Sequence, residues 1–149
     1  MKCKIITDSS REEIVIYVRE ENDDVLELRD KIERLLSEEE PSELIGYSER
    51  EIIQLSPDDV CCFITEGGKV FALTENKKWQ LRQRLYVLED LLGNDFIKIN
   101  QSCIANIKQI KRFETSIGAS LSVVFKNGYR DYVSRRQLKA VKERIGIRL

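Results

Sequence analysis

The hydrophobic period of this chain changes once, near residue 43, and that change limits what it can fold into. Before it, residues 23–37 place Val25, Leu28, Ile32, Leu35 and Leu36 on one helical stripe with charges elsewhere. Asp23 and Asp24 open this segment, where the positive end of a helix dipole favours carboxylates. After it come short apolar runs divided by turn residues, the pattern of antiparallel strands. Strands are expected at 43–47, 51–55, 60–65, 70–74 and 78–82, with Glu66-Gly67-Gly68 and Glu75-Asn76-Lys77 turning the chain. A helix over 83–92 presents Leu85, Leu88 and Leu92 on one face, and Gly93 stands where a C′ glycine ends a helix. A strand at 96–100, a turn or helical turn from Ser102, and a strand at 109–114 follow. Leu121, Val123 and Phe125 alternate on the next strand, Asn127-Gly128 is a hairpin turn, and 129–133 returns. A last helix over 135–145 turns Leu138, Val141 and Ile145 inward.

The expected class is therefore α+β, mostly β, over residues 43–149. An acidic β-β-α segment, residues 1–42, precedes it, with strands at 3–7 and 14–18 ahead of the helix. Ser37-Glu38-Glu39-Glu40-Pro41-Ser42 is the natural linker. A chain of 149 residues holds one domain of about 100 residues and a short addition. No apolar run approaches the roughly 20 residues that cross a bilayer. The N-terminus also turns polar too early for a secretory signal, so a cytoplasmic address with no membrane partner is expected.

Composition removes most enzyme classes. The chain has no His, which excludes Ser-His and Cys-His nucleophile pairs and His general bases. Cys3, Cys61, Cys62 and Cys103 lack paired CxxC spacing, so no zinc site is expected, and they read as small buried hydrophobes. The vicinal Cys61-Cys62 pair has a redox alternative, but no basic neighbour in sequence to lower a thiol pKa. Glu66-Gly67-Gly68-Lys69 lacks the spacing of a phosphate loop and joins two strands. No catalytic residue, metal or cofactor is expected.

Charge is segregated. Residues 1–46 hold 7 basic and 14 acidic groups, whereas residues 95–149 hold 12 basic and 4 acidic ones. A basic rear points to a polyanion partner, with a merely solvated basic face as the alternative. The stretch Val133-Ser134-Arg135-Arg136-Gln137-Leu138 sharpens this. Ser134 and Gln137 read as a capping box, which puts Arg135 and Arg136 at the first two helical positions. Cations there cost roughly 0.3–1 kcal/mol each against the dipole. That cost is recovered if an anion binds the free N–H groups, and an Arg clear of the backbone can also read guanine. The alternative is pairing with Asp131 or Glu143. Near mid-domain, Asn100-Gln101-Ser102 follows the apolar run Phe96, Ile97, Ile99, and its amides can bond adenine or simply turn the chain. Lys69, at the Gly67-Gly68 tip, could contact a backbone phosphate.

From Asp95 to Asn106 the sequence DFIKINQSCIAN resembles the core motif of the LytTR (LytR/AlgR-type) DNA-binding family. The later strand, the Asn127-Gly128 turn and the Val133-Ser134-Arg135-Arg136 helix start keep the family's order, and the resemblance runs from about Tyr47 to Ile145. It implies a stack of small antiparallel sheets with short helices, binding successive major grooves of double-stranded DNA through loops, without a helix-turn-helix. By position it implies contacts from Gly68 or Lys69, from Asn100 and Gln101, and from Arg135 and Arg136 at the Ser134 helix start. Lys98 stands where the family usually has Arg. Asn100 replaces the usual His, and Gln101 an Arg or Asn, which removes cationic charge. The roughly 46 residues ahead are fewer than a receiver domain needs, so a stand-alone form is expected.

The expected function is a sequence-specific transcriptional regulator. Its rival is a non-enzymatic protein-interaction module that keeps the fold with weak or no DNA binding. The acidic front has three readings: packing on the rear module, homodimerisation through the Val25/Leu28/Ile32/Leu35 stripe on direct-repeat sites, or binding a regulatory protein.

Overall fold

A computed structural model of the chain describes residues 3–36, 44–116, 118 and 120–148, leaving out the side chain of Arg34. Two compact units separate near residue 38. The linker expected at 37–42 lies outside the described residues.

The N-terminal unit contains one helix, α1 (Asp23–Leu36). Asn22 starts it, its side-chain oxygen accepting the Val25 N–H at 3.0 Å. The strands expected at 3–7 and 14–18 do not form: residues 3–22 make no ladder around a turn at Asp8–Arg11. That turn is held by the Asp8 carboxylate, which accepts from the Ser10 hydroxyl and N–H. The two bonds, the hydroxyl first, hold the Asp8 carboxyl below its ordinary range. The physical reason for the missing strands is that an isolated hairpin is marginal in water without a covered face. None of the described residues of this unit is buried, and Ile5, Ile6 and Tyr17 lie open.

The described residues of the C-terminal unit form ten strands and two α-helices, with short 3-10 turns at Pro57–Asp59 and Ile107–Gln109. In chain order these are β1 (Ile45–Tyr47), β2 (Ile52–Gln54), β3 (Val60–Glu66), β4 (Lys69–Thr74), β5 (Lys78–Leu81), α2 (Leu85–Leu91), β6 (Phe96–Asn100) and β7 (Cys103–Asn106). Then follow β8 (Ile110–Thr115), β9 (Leu121–Phe125), β10 (Arg130–Val133) and α3 (Arg135–Ile145). A seven-stranded sheet runs β2-β1-β5-β4-β3-β7-β6, and a three-stranded sheet β10-β9-β8. Every pairing is antiparallel. The α+β, mostly β class expected from the sequence is the class observed.

Alternation along the strands makes two cores, one on each face of the larger sheet. On one face Ile64, Leu73, Ile99, Cys103 and Ala105 meet Leu121, Val123 and Phe125 of the small sheet and Val141 of α3. On the other, Phe63, Val70, Ala72, Trp79, Leu81 and Ile104 meet Leu85 and Leu88 of α2. A fully buried side chain such as Phe63 or Leu88 contributes roughly 1.5–3 kcal/mol by leaving water. A bulge between Val60 and Cys62 breaks the alternation, so the vicinal Cys61 and Cys62 both join the first core. Gly46 is required where β1 crosses Trp79, since a Cβ there would lie 2.9 Å from both Leu55 Cδ1 and Trp79 Cβ. Asn127 joins the two sheets, its amide donating to Thr74 O at 3.2 Å.

Three local expectations need correction. The turn expected from Ser102 is only Gln101-Ser102; residues 103–106 are a fully buried strand, because β7 is covered on both faces and carries no alternation. Gly93 is not a left-handed cap: α2 ends at an extended Leu92, and a turn closed by the Phe96 N–H donating to Gly93 O at 3.2 Å leads into β6. Cys3 is exposed, unlike the other three cysteines.

Candidate nucleic-acid interface

Three segments far apart in sequence meet at one end of the C-terminal unit. The first is the β3–β4 tip, where Gly67 and Gly68 both take positive φ (59° and 76°) and leave Lys69 exposed opposite Glu66. Two successive left-handed residues close a tight hairpin of the right twist, which is why glycines occupy both places. The second is the exposed Gln101-Ser102 turn between β6 and β7. The third is the junction of β10 with α3, where Ser134 leads into the exposed Arg135 and Arg136.

Backbone bonds join them. The Thr65 N–H, beside the first tip, donates to Ser102 O at 2.9 Å, and the Ser134 N–H donates to Ile99 O at 2.9 Å. The second bond corrects the capping box. Ser134 occupies the N-cap with extended backbone, but its side chain makes no cap bond, and its N–H is taken by β6. The first α3 N–H groups are therefore not capped by a side chain, and the first turn holds no acidic residue.

Asn100 is not where an exposed contact would be. It is 1% exposed, and its amide is used within the fold. Nδ2 donates to Asp131 Oδ1 at 3.0 Å and to Tyr132 O at 2.8 Å, while Oδ1 accepts the Ser102 N–H at 2.8 Å. The residue the sequence motif singled out is thus occupied within the fold, its amide bonded to Asp131, Tyr132 and Ser102. Lys98 is not brought to this end either. It sits across from Ile104, whose side chain belongs to the α2 face, and its ammonium lies 3.9 Å from Glu89. Gln101, Ser134, Arg135 and Arg136 are brought together, with Lys69 on the adjoining tip.

The arginines are set apart by their place at the start of α3, against the helix dipole, whereas Lys142 and Arg144 stand in its last turn. Among the described residues neither Arg135 nor Arg136 makes an ion pair with Asp131, Glu143 or any other carboxylate. Six other cations of the unit are paired, Arg112 and Arg130 with Glu114, Lys108 with Asp95, Lys77 with Glu51, Lys78 with Glu66 and Lys98 with Glu89, whereas Lys69, Lys111, Lys126, Lys139, Lys142 and Arg144 make no ion pair among the described residues. Asp131 is committed inward, accepting from Asn100, the Tyr132 N–H at 2.8 Å and the Tyr129 hydroxyl at 3.3 Å.

Beneath this end lies a polar layer that sequence reasoning missed. Burial, with Asp131 and the Cys103 and Cys62 thiols beside it, pushes the Tyr129 hydroxyl well above its ordinary value. A hydrogen bond with Cys62 and burial push the Cys103 thiol up in the same way. Burial raises Cys61 as well. Cys61 and Cys62 are both buried, away from soluble oxidants and partner thiols, which disfavours the redox alternative. No local pattern marks these partners, because they come from three strands. Tyr132, exposed on β10, was also not singled out.

Comparison with known proteins identifies the family and the fold. Residues 50–146 match the LytTr DNA-binding domain family. An uncharacterized HTH-type transcriptional regulator of Staphylococcus aureus (strain NCTC 8325) is 32% identical over 149 residues, covering 99% of each chain. Another, from strain MSSA476, is 36% identical over 104 residues, covering 70% of this chain and 71% of the relative. The solved LytTr DNA-binding domain of a methyl-accepting/DNA response regulator from Bacillus cereus superposes with a TM-score of 0.66 at 19% identity. That match covers 71% of this chain and 99% of that one, and shows a shared fold. The HTH-type label of the relatives has no counterpart in the described C-terminal unit, where five strands separate α2 from α3.

Proposed function

This chain belongs to the LytTr DNA-binding domain family, and on that premise we propose that it is a sequence-specific transcriptional regulator that reads duplex DNA through loops. Arg135 and Arg136 enter a major groove or grip its phosphates at the start of α3, with the Ser134 hydroxyl and the first helical N–H groups as further donors. Gln101 presents its amide to a base edge, and Lys69 contacts backbone phosphate at an adjoining position. Asn100 and Lys98 are left out of this contact set for the reasons given above.

One observation carries the reading. Two unpaired arginines stand at the positive end of a helix whose first turn holds no carboxylate, and the backbone ties that helix start to an exposed amide-bearing turn.

Two copies on direct repeats spaced by a helical turn, held through the exposed apolar residues of the N-terminal unit, complete the proposal. A regulatory protein bound by that unit is the competing use of the same residues. Among the described residues no helix is long and apolar enough to cross a membrane.

Selection of bound sequences from random duplex DNA tests the reading, followed by titration of the selected duplex at several salt concentrations. A defined motif and an affinity falling steeply with salt are expected. No enrichment and a salt-independent response would sink it and leave the interaction module.

A further inference from the structure

A buried amide costs free energy unless every polar atom finds a partner, so a buried asparagine at the foot of an exposed turn needs a reason. Asn100 has three side-chain partners in two other segments: Ser102 in the turn, and Asp131 and Tyr132 in β10. Asp131, its main partner, is itself held by the Tyr132 N–H and the Tyr129 hydroxyl. Among the described residues no buried side-chain nitrogen or oxygen lacks a partner, so the network is complete. Complete polar networks hold one geometry, whereas apolar contacts tolerate sliding.

The network also has a position that generic stabilisation would not need. Two residues after Tyr132 the chain enters α3 through Ser134, whose N–H is bonded to Ile99, the residue before Asn100. Asn100 thus sits between the turn that presents Gln101 and the helix that presents Arg135 and Arg136. A second buried asparagine supplies the internal comparison. Asn106, 0% exposed, ends the neighbouring strand β7, donates to Val60 O at 2.9 Å and accepts the Lys108 N–H at 3.1 Å. It does the same kind of holding at the other end of β7, away from the arginines.

Resting on the DNA-binding reading, we propose that Asn100 and Asp131 form a positioning pair. They set the Gln101 turn and the first turn of α3 in one register, and thereby set discrimination among duplex sequences rather than overall attraction to DNA. Phosphate attraction depends on how many cations are present, and base reading depends on where they stand.

The full-length chain tests this with Asn100→Asp, which is nearly isosteric and sets a second carboxylate against Asp131, with the Tyr129 hydroxyl and the Cys103 and Cys62 thiols nearby. Affinity is measured for a duplex selected by the wild-type protein and for a scrambled duplex of the same length. At neutral pH the ratio of the two is expected to fall roughly tenfold or more, with scrambled-duplex affinity unchanged. On acidification a proton shared between the two carboxyls restores the contact, so the variant's ratio climbs while the wild-type ratio does not. The double variant Asn100→Asp/Asp131→Asn exchanges donor and acceptor and is expected to recover part of the ratio at neutral pH. Asn106→Asp is the folding control: it loses stability and keeps the ratio.

An undiminished ratio in folded Asn100→Asp overturns the proposal, as does an equal loss in Asn106→Asp at matched stability. So does a loss that neither acid nor the double variant repairs. Amide hydrogen exchange at Ser102 and Ser134 reads the pair without DNA: it is expected to quicken in Asn100→Asp and not in Asn106→Asp, and unchanged exchange overturns the pairing. If wild-type protein discriminates no duplex at all, the DNA reading fails, and the exchange result still decides whether the pair holds the two segments together.

Discussion

The strand β6 separates two regions that look alike in a charge count and differ in every physical respect. On the α2 side, Lys98 lies over a packed apolar layer and faces Glu89. At the Gln101 end, Arg135 and Arg136 face solvent with no carboxylate and with a helix dipole that disfavours them. The first region keeps its charge balanced in the folded molecule, and the second is balanced only when an anion arrives. The comparison teaches that a basic sequence does not locate a binding site. What locates it is where the fold sets the unpaired cations, here at the start of a helix tied to an exposed amide-bearing turn.

The largest expected effect lies on the α2 side and concerns stability alone. Leu88 is completely buried between α2 and the sheet. Leu88→Ala should cost about 2–5 kcal/mol, from lost transfer energy and the cavity left behind. Urea denaturation reads it as a lower midpoint. DNA affinity per folded molecule should not move, and a parallel loss of affinity would blur the division between the two regions.

Arg136→Ala should divide the regions most cleanly, because its two effects have opposite signs. It should weaken binding to a selected duplex by about 1–3 kcal/mol if the guanidinium reads a base. In the same variant the folded protein should gain up to about 1 kcal/mol, since a cation leaves the positive end of α3. Titration and a thermal melt on one preparation measure both. Loss of stability would mean that Arg136 has a structural partner and that the end is not held ready for an anion.

Next in size is Tyr129→Phe, which removes the hydroxyl that bonds Asp131 and should cost about 0.5–1.5 kcal/mol at neutral pH. Its pH dependence has a definite sign. The Tyr129 pKa is raised in the folded state, mainly by burial, above an unfolded value of about 10. Its contribution is therefore complete below pH 10 and is lost as pH rises from there toward the folded pKa. Wild-type stability should fall across that alkaline window, and the Phe variant should fall less. Equal slopes would remove Tyr129 from the network beneath the site.

How far the sequence revealed these regions depends on how local the determinants are. Strand β6 and helix α3 appear with the boundaries expected, because their apolar spacing and the Asn127-Gly128 turn are short-range signals. β7 was hidden since Cys103-Ile104-Ala105-Asn106, buried on both faces, has no alternation to read. The N-terminal strands were overread for the opposite reason. Residues 3–7 and 14–18 have strand composition, but strand formation also needs a covered face, and no described residue in that unit is buried. At the candidate site, the arginines were legible from their place at a helix start. The inward turn of Asn100 was not, because Asp131 and Tyr132 lie more than thirty residues downstream and meet it only through β10.

The smallest effect is the most exacting test of the comparison. Lys98 has the same formal charge as Arg136 and sits only two residues before Asn100, so a view based on charge density assigns it a share of DNA binding. Its ammonium is 3.9 Å from Glu89, with the two side chains 26% and 43% exposed, a pair contributing about 0–1 kcal/mol after screening. Facing the α2 layer, it can act on DNA only at long range, and salt screens such action beyond about 10 Å at 0.1 M. Lys98→Ala should therefore leave affinity for a selected duplex nearly unchanged at that ionic strength, and shift the melting temperature slightly or not at all. Glu89→Gln, which frees the lysine, should add no affinity. If Lys98→Ala instead weakened binding as much as Arg136→Ala, both sides of β6 would meet the nucleic acid, and the start of α3 would no longer mark the interface.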